Sequence, residues 1–207
     1  MDCHVGRPPR NDGKRGFTLI ELLVTLSIFV IVGSVILFSQ SQFNGSILLS
    51  NLSYDLALTI RQAQTFGVGG KSFGFDDTQK PRYGVHLDTT NSKSIVFFAD
   101  LDGGGTYDVG ICPKSTIDDN LECLETYNIK KGNSIKKICE YQGENTSCTD
   151  SYSSVDITFE RPDPDAVIYV EKTKADFSAV EIVIGDDSDS QTRSVVVTSV
   201  GQIFIKK

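Results

Sequence analysis

The apolar run from Phe17 to Phe38 limits what this chain can become more than any other feature. As an α-helix it would be about 33 Å long, close to the hydrocarbon thickness of a bilayer. Lys14 and Arg15 stand just before it, Gly16 forms the junction, and Glu21 is its only charged residue. An acid in such a run costs roughly 2.5–3.5 kcal/mol or more in lipid, so it needs a partner or a task. No Lys or Arg lies within the run. A cut between Gly16 and Phe17 would supply a partner. The new amine of Phe17 would sit four residues before Glu21, on the same helical face, within reach of its own or a neighbouring subunit's Glu21. A plain signal anchor accounts for the run and its basic flank but not for Glu21 or the Gly16-Phe17 junction. A secretory signal peptide would have an apolar region of about 7–15 residues and small residues at the cut.

The string R-G-F-T-L-I-E-L-L-V, Arg15 to Val24, resembles the type III signal of type IV pilins and pseudopilins. In that family a peptidase on the cytoplasmic side cuts after the glycine and methylates the new N-terminal Phe. A glutamate at the fifth mature position helps dock each subunit into a filament. The resemblance implies Lys14, Arg15, Gly16 and Phe17 as the processing residues and Glu21 as the assembly acid. The partners it implies are a prepilin peptidase/methylase, other pilin or pseudopilin subunits, an inner-membrane assembly platform and membrane lipid. It also implies a single-pass protein of the cytoplasmic membrane, leader inside and head outside, that enters an extracytoplasmic filament. Many family members carry Pro near the twenty-second mature position; here that residue is Phe38, so no proline kink is expected there.

The expected organisation is a cleaved leader over 1–16, a transmembrane and filament-core helix over 17–38, an amphipathic helix over 39–70 and a β-rich head over 71–207. Cys3 and His4 in the leader are adjacent, which is too little for a metal site. The formal net charge is −7, and the leader's Arg7, Arg10, Lys14 and Arg15 outnumber Asp2 and Asp12, so its loss leaves a more acidic chain. Nucleic-acid binding needs a basic footprint, and DNA is therefore not an expected partner.

Past Phe38, Leu48, Leu52, Leu56, Ile60 and Ala63 recur at helical spacing, with Asn51, Asp55, Arg61 and Gln62 on the other side. The helix is expected from about Phe17 to Phe66, with Asn44-Gly45-Ser46 a place where it can bend and Gly67, Gly69 and Gly70 its stop. Eight strands follow: 83–87, 94–99, 134–140, 153–160, 166–171, 179–184, 193–198 and 202–206. They are rich in Val, Ile, Phe and Tyr and bounded by Gly, Asp, Asn and Pro. The class is α+β, a long N-terminal helix packed on a mainly antiparallel sheet, which is also the order of the pilin fold. The strand pattern and the closing pair Val195–Val197 with Ile203–Ile205 look most like H-type pseudopilins and related minor pilins.

Asp100-Leu-Asp102-Gly-Gly-Gly-Thr-Tyr-Asp108 places three carboxylates in a glycine-rich turn. Asp100, Asp102 and Asp108 are candidate calcium ligands, since a hard cation takes several oxygens at about 2.3–2.6 Å. Against that stands a solvated glycine-rich turn: Gly104 and Ile111 occupy positions where a helix-loop-helix calcium loop has side-chain ligands. A second acidic run, Asp186 to Asp189, reads as a solvated hairpin loop, with calcium binding the alternative. Once the leader is gone, Cys112, Cys123, Cys139 and Cys148 remain, an even number that suggests disulfides in an exported head. Of the three connectivities, Cys112–Cys123 with Cys139–Cys148 is favoured because each closes a short polar loop. Residues 114–132 then form a disulfide-pinned excursion. Zinc is the rival, but no CxxC pair or His cluster supports it.

No enzyme is expected. His86 lies in a strand with no nucleophile indicated beside it, and nothing resembles a phosphate loop. The chain is thus expected to be a structural subunit, a minor pilin or pseudopilin of a type IV pilus or a type II secretion pseudopilus. The alternative is a binding module at the filament tip, an adhesin or a DNA or substrate receptor on the same anchor. For DNA, only Lys206-Lys207 offers an exposed basic end.

Overall fold

Thr18 opens the first helix. Its hydroxyl accepts the Glu21 N–H at 3.3 Å and its carbonyl the Leu22 N–H at 3.1 Å, which makes it the N-cap of helix α1, Leu19–Val68. The computed structural model describes residues 16–73, 80–108, 122–130, 132–143, 148 and 151–206, with the backbone alone at 38–44. The chain divides into two compact units, Met1–Phe43 and Asn44–Lys207.

In the first unit, Leu19–Leu37 is long and apolar enough to cross a membrane, with a mean hydropathy of 2.6 and none of it buried. Its hydroxyls turn inward on the helix: Thr25, Ser27 and Ser34 donate to the carbonyls of Leu22, Leu23 and Ile31. These three hydroxyls are thereby satisfied within the helix, as hydrocarbon surroundings require.

In the second unit, α1 buries Leu49, Leu52, Leu56, Ile60 and Ala63. Leu49, not Leu48, begins the buried stripe. The helix stops where the glycines stand. The Gly70 N–H reaches the Gly67 carbonyl at 3.1 Å, the Lys71 N–H reaches the Phe66 carbonyl at 3.0 Å, and Gly70 has φ +58°. This is a Schellman cap, which uses a left-handed residue to satisfy the last carbonyls.

Ten strands follow among the described residues: β1 Arg82–Asp88, β2 Ser94–Asp100, β3 Cys123–Asn128, β4 Asn133–Glu140, β5 Ser154–Phe159, β6 Ala166–Val170, β7 Thr173–Lys174, β8 Ala179–Asp186, β9 Thr192–Thr198 and β10 Ile203–Lys206. They form two sheets, ordered β3-β2-β1-β5-β6-β7 and β10-β9-β8-β4. All pairings are antiparallel. The class is therefore the α+β, pilin-like one, with the strands split between two sheets. β3 and β7 were not among the expected strands; β3 lies inside the stretch expected as a loop excursion.

One core joins the helix and both sheets. It takes Leu56 and Ile60 from α1, Val85, Phe97 and Ile157 from the larger sheet, and Ile138, Ile182 and Val195 from the smaller. The alternate residues of β2, Val96 and Phe98, lie in a separate cluster with Tyr107 and Cys123. Strand alternation thus gives the larger sheet two occupied faces, one in the main core with α1 and one under the loop that follows β2.

Candidate functional site

The N-terminal junction is open. Phe17 is 80% exposed, and a Cβ at Gly16 would meet nothing within 4 Å. Gly16, Phe17 and Thr18 precede α1, so the Gly16–Phe17 bond lies outside the helix. Glu21 is the acid of the first turn. There the helix N-terminus carries partial positive charge, which favours a carboxylate. Thr18-Leu19-Ile20-Glu21 also has the T-x-x-E spacing of a capping box, a local signal that accounts for the acid's position independently of any pairing with an amine. Lys14 and Arg15 lie outside the described residues, as do Cys3 and His4.

The head carries a second site, on the face of the larger sheet that holds Val96 and Phe98. Three buried carboxylates hold the loop 101–108. Asp100 accepts the N–H groups of Gly103 at 2.8 Å and Gly105 at 2.9 Å. Glu122 accepts those of Leu101 at 3.2 Å and Asp108 at 2.9 Å. Asp156 accepts that of Tyr107 at 3.2 Å. All three are nearly excluded from water, with exposures of 2%, 7% and 1%. Gly103 and Gly105 have φ of +78° and +79°, conformations that let both amides turn toward one carboxylate.

Ligand oxygens of Asp100, Asp102 and Glu122 lie within 4.8 Å of one another. That all-oxygen set is the kind that could hold a hard divalent cation. Asp108 is elsewhere: its side chain is exposed and pairs with Lys172 Nζ at 3.2 Å. Glu122 takes the third place, contributed from just before β3. Burial raises the Asp100 carboxyl, and its contact with Asp102 raises it further, against the pull of the Gly105 and Gly103 amides and Arg82. Glu122 is raised by burial too, with the Asp100 and Asp102 charges adding to it. Asp102 is lowered, chiefly by the Gly104 N–H. Arg82 Nη1 lies 3.8 Å from Asp100 Oδ2, while its Nε donates to Glu160 at 2.6 Å.

His86 Nδ1 is 2.7 Å from Asp156 Oδ1, and its ring lies against Tyr107, with centroids 5.1 Å apart. The histidine therefore packs against the end of the same loop. In the other acidic run, Asp186 accepts from Ser188, Ser190 and the Gln191 N–H, while Asp189 and Asp187 pair with Lys136 and Lys93.

Cys139 and Cys148 are joined, with Cα atoms 5.7 Å apart. Cys123 is also disulfide-bonded; its partner, like the Cys112 of the favoured pairing, lies outside the described residues. Lys206 is not an exposed basic end. Its Nζ is 3.3 Å from the buried Glu181 carboxylate and donates to the Gly143 carbonyl at 3.3 Å. Lys207 lies outside the described residues.

The fold is α+β and pilin-like, with an N-terminal apolar helix whose lone acid is Glu21. A family model, the prokaryotic N-terminal methylation motif, matches residues 11–37. The segment thus has the signal of a type IV pilin or pseudopilin-type precursor, which implies processing by a prepilin peptidase and assembly with other pilins. Such a motif suggests a structural subunit rather than an enzyme. No curated protein and no solved structure matches the chain.

Proposed function

We propose that this protein is a minor pilin or pseudopilin, a structural subunit of a type IV pilus or a type II secretion pseudopilus. It is cut after Gly16, methylated at Phe17, and enters the filament through α1. The methylation-motif match over residues 11–37, with Glu21 as the lone charge in the apolar span, carries this reading. The leader stays in the cytoplasm and the head lies outside, because basic flanks are retained inside. In the filament, Glu21 is neutralised by the methylated amine of a neighbouring Phe17, which lowers the cost of an acid among apolar helices.

Intact mass of the protein extracted from membranes tests the processing. The expected mass is that of residues 17–207 plus one methyl group. A mass retaining residues 1–16 in cells with an active prepilin peptidase would sink the reading. Glu21→Val is expected to be cleaved normally and to be missing from sheared filaments; normal incorporation would remove its assembly role.

Calcium at Asp100, Asp102 and Glu122 is a subsidiary proposal, supported by the convergence of three carboxylates on one point. Thermal unfolding at neutral pH with calcium and with chelator tests it. A shift to higher temperature with calcium, lost in Glu122→Gln, is expected; identical curves would dismiss the cation.

A further inference from the structure

A groove of about 240 Å³ opens beside α1, between Asp55, Leu58 and Gln62 on the helix and Phe97, Glu125 and Tyr127 on β2 and β3. It exists because one helix cannot cover a six-stranded sheet, and β3 forms the sheet's edge. Tyr127 and Glu125 face Ile95 and Phe97 in register, so all four side chains line the groove. We propose that this groove docks a segment of a partner protein that presents a lysine or arginine beside an apolar residue.

Three observations select that occupant. The volume lies below the roughly 300–1,000 Å³ of small-molecule sites and suits an anchoring side chain. The lining combines apolar surface from the 61%-exposed Leu58 and the Tyr127 ring, over a floor of the nearly buried Ile95 and Phe97, with two carboxylates, Asp55 and Glu125. Neither carboxylate forms an ion pair among the described residues. Tyr127 donates to Asp55 Oδ2 at 2.8 Å and fixes that carboxylate's orientation. Burial and the Asp55 charge both raise the Tyr127 phenol, so it remains a donor. A long basic side chain matches this lining, with its methylene stem on Leu58 and the Tyr127 ring and its head at the carboxylates. Phosphate-bearing partners, lipid or nucleic acid, meet the wrong charge. The inference stands apart from the filament reading, since it rests on the head alone.

Fluorescence anisotropy tests it, with the full chain in zwitterionic micelles and a labelled heptapeptide, Gly-Ser-Leu-Arg-Leu-Ser-Gly. Replacing arginine by neutral citrulline is expected to weaken binding by at least about tenfold, the scale of a lost interfacial charge pair. The double variant Asp55→Asn/Glu125→Gln, and separately Leu58→Ala, should weaken the arginine peptide comparably while circular dichroism stays unchanged. Equal binding of the two peptides, unchanged binding by the variants, or no saturable binding in the millimolar range would each overturn the proposal. So would a dimer in sedimentation velocity that the double variant dissolves, because the occupant would then be a second copy of this chain.

Discussion

Glu122 Oε2 accepts the backbone N–H of Asp108 across 2.9 Å, tying the far end of an acidic loop to the entrance of β3. The same carboxylate takes the Leu101 N–H through its other oxygen. Its two oxygens thus bracket the loop at both ends.

That bracket has a pH signature. Burial raises Glu122 and Asp100 above the ordinary carboxylate range. The folded state therefore holds these protons to higher pH than the unfolded chain, and stability falls as pH rises from about 4–4.5 toward the raised values. Asp102, Glu171 and Asp186 are lowered by hydrogen bonds, led by the Gly104 amide, the Ser153 amide and the Ser188 hydroxyl respectively. Their contribution is present above the ordinary carboxylate range and is lost as pH falls below about 4. The head is therefore expected to be most heat-stable in mildly acidic buffer. Melting curves between pH 3 and 8 check this, and Asp100→Asn/Glu122→Gln should flatten the neutral side, with a smaller change on the acidic side because Asp100 also helps to lower Asp102. A neutral-side slope unaltered by that double variant would refute the assignment.

Lys206→Met is expected to cost about 3–5 kcal/mol, because it leaves the Glu181 carboxylate, 4% exposed, without its cation. Urea denaturation measures it. Adding Glu181→Leu should recover much of the loss; a single variant within about 0.5 kcal/mol of the parent would mean the pair is dispensable.

Ile60→Ala should cost about 2–5 kcal/mol in the same assay. Ile60 has no exposed surface and belongs to the core shared by α1 and both sheets. Leu58→Ala, on the exposed flank of the same helix, should shift stability by no more than about 0.5 kcal/mol. Similar losses at the two positions would contradict the placement of the helix face.

Gly201→Ala should destabilise by more than about 1 kcal/mol. Gly201 has φ +77° in the turn between β9 and β10, and an added Cβ would collide with the Pro164 carbonyl and crowd Gln64 Nε2. Neutrality there would show that the turn adopts another form.

The features read from the sequence with most success were those written in neighbouring residues. The apolar span, the amphipathic stripe ending in glycines and the strand pairs with clear alternation all belong to that kind. β9 and β10 are one example: Ile203 pairs with Val197 and Ile205 with Val195. β3 was missed because an edge strand needs only one covered face. Glu125, Tyr127 and Asn128 are exposed, and the segment reads as polar. The loop site was half legible. Asp100 and Asp102 lie in an evident turn, whereas Glu122 reaches them only through β2–β3 pairing, which spacing along the chain does not encode. The division into two sheets was hidden for the same reason, since strand order is set by contacts far apart in sequence.

The Arg61 guanidinium of α1 donates to the Ile203 carbonyl at 3.2 Å, across 142 positions of chain, and the Gln64 amide reaches Gly201 across 137. An N-terminal helix is thus completed by a strand that lies far along the chain from it. A chain emerging in order can form α1 early, but such distant contacts are slow to close, and β10 must arrive before the core is sealed. Until then the apolar stripe of Leu52, Leu56 and Ile60 has only part of its cover. A chain stopped short of Ile203 would lack both the carbonyl that Arg61 holds and one apolar side chain of the shared core, so the last turns of α1 are held in place only once β10 has been added.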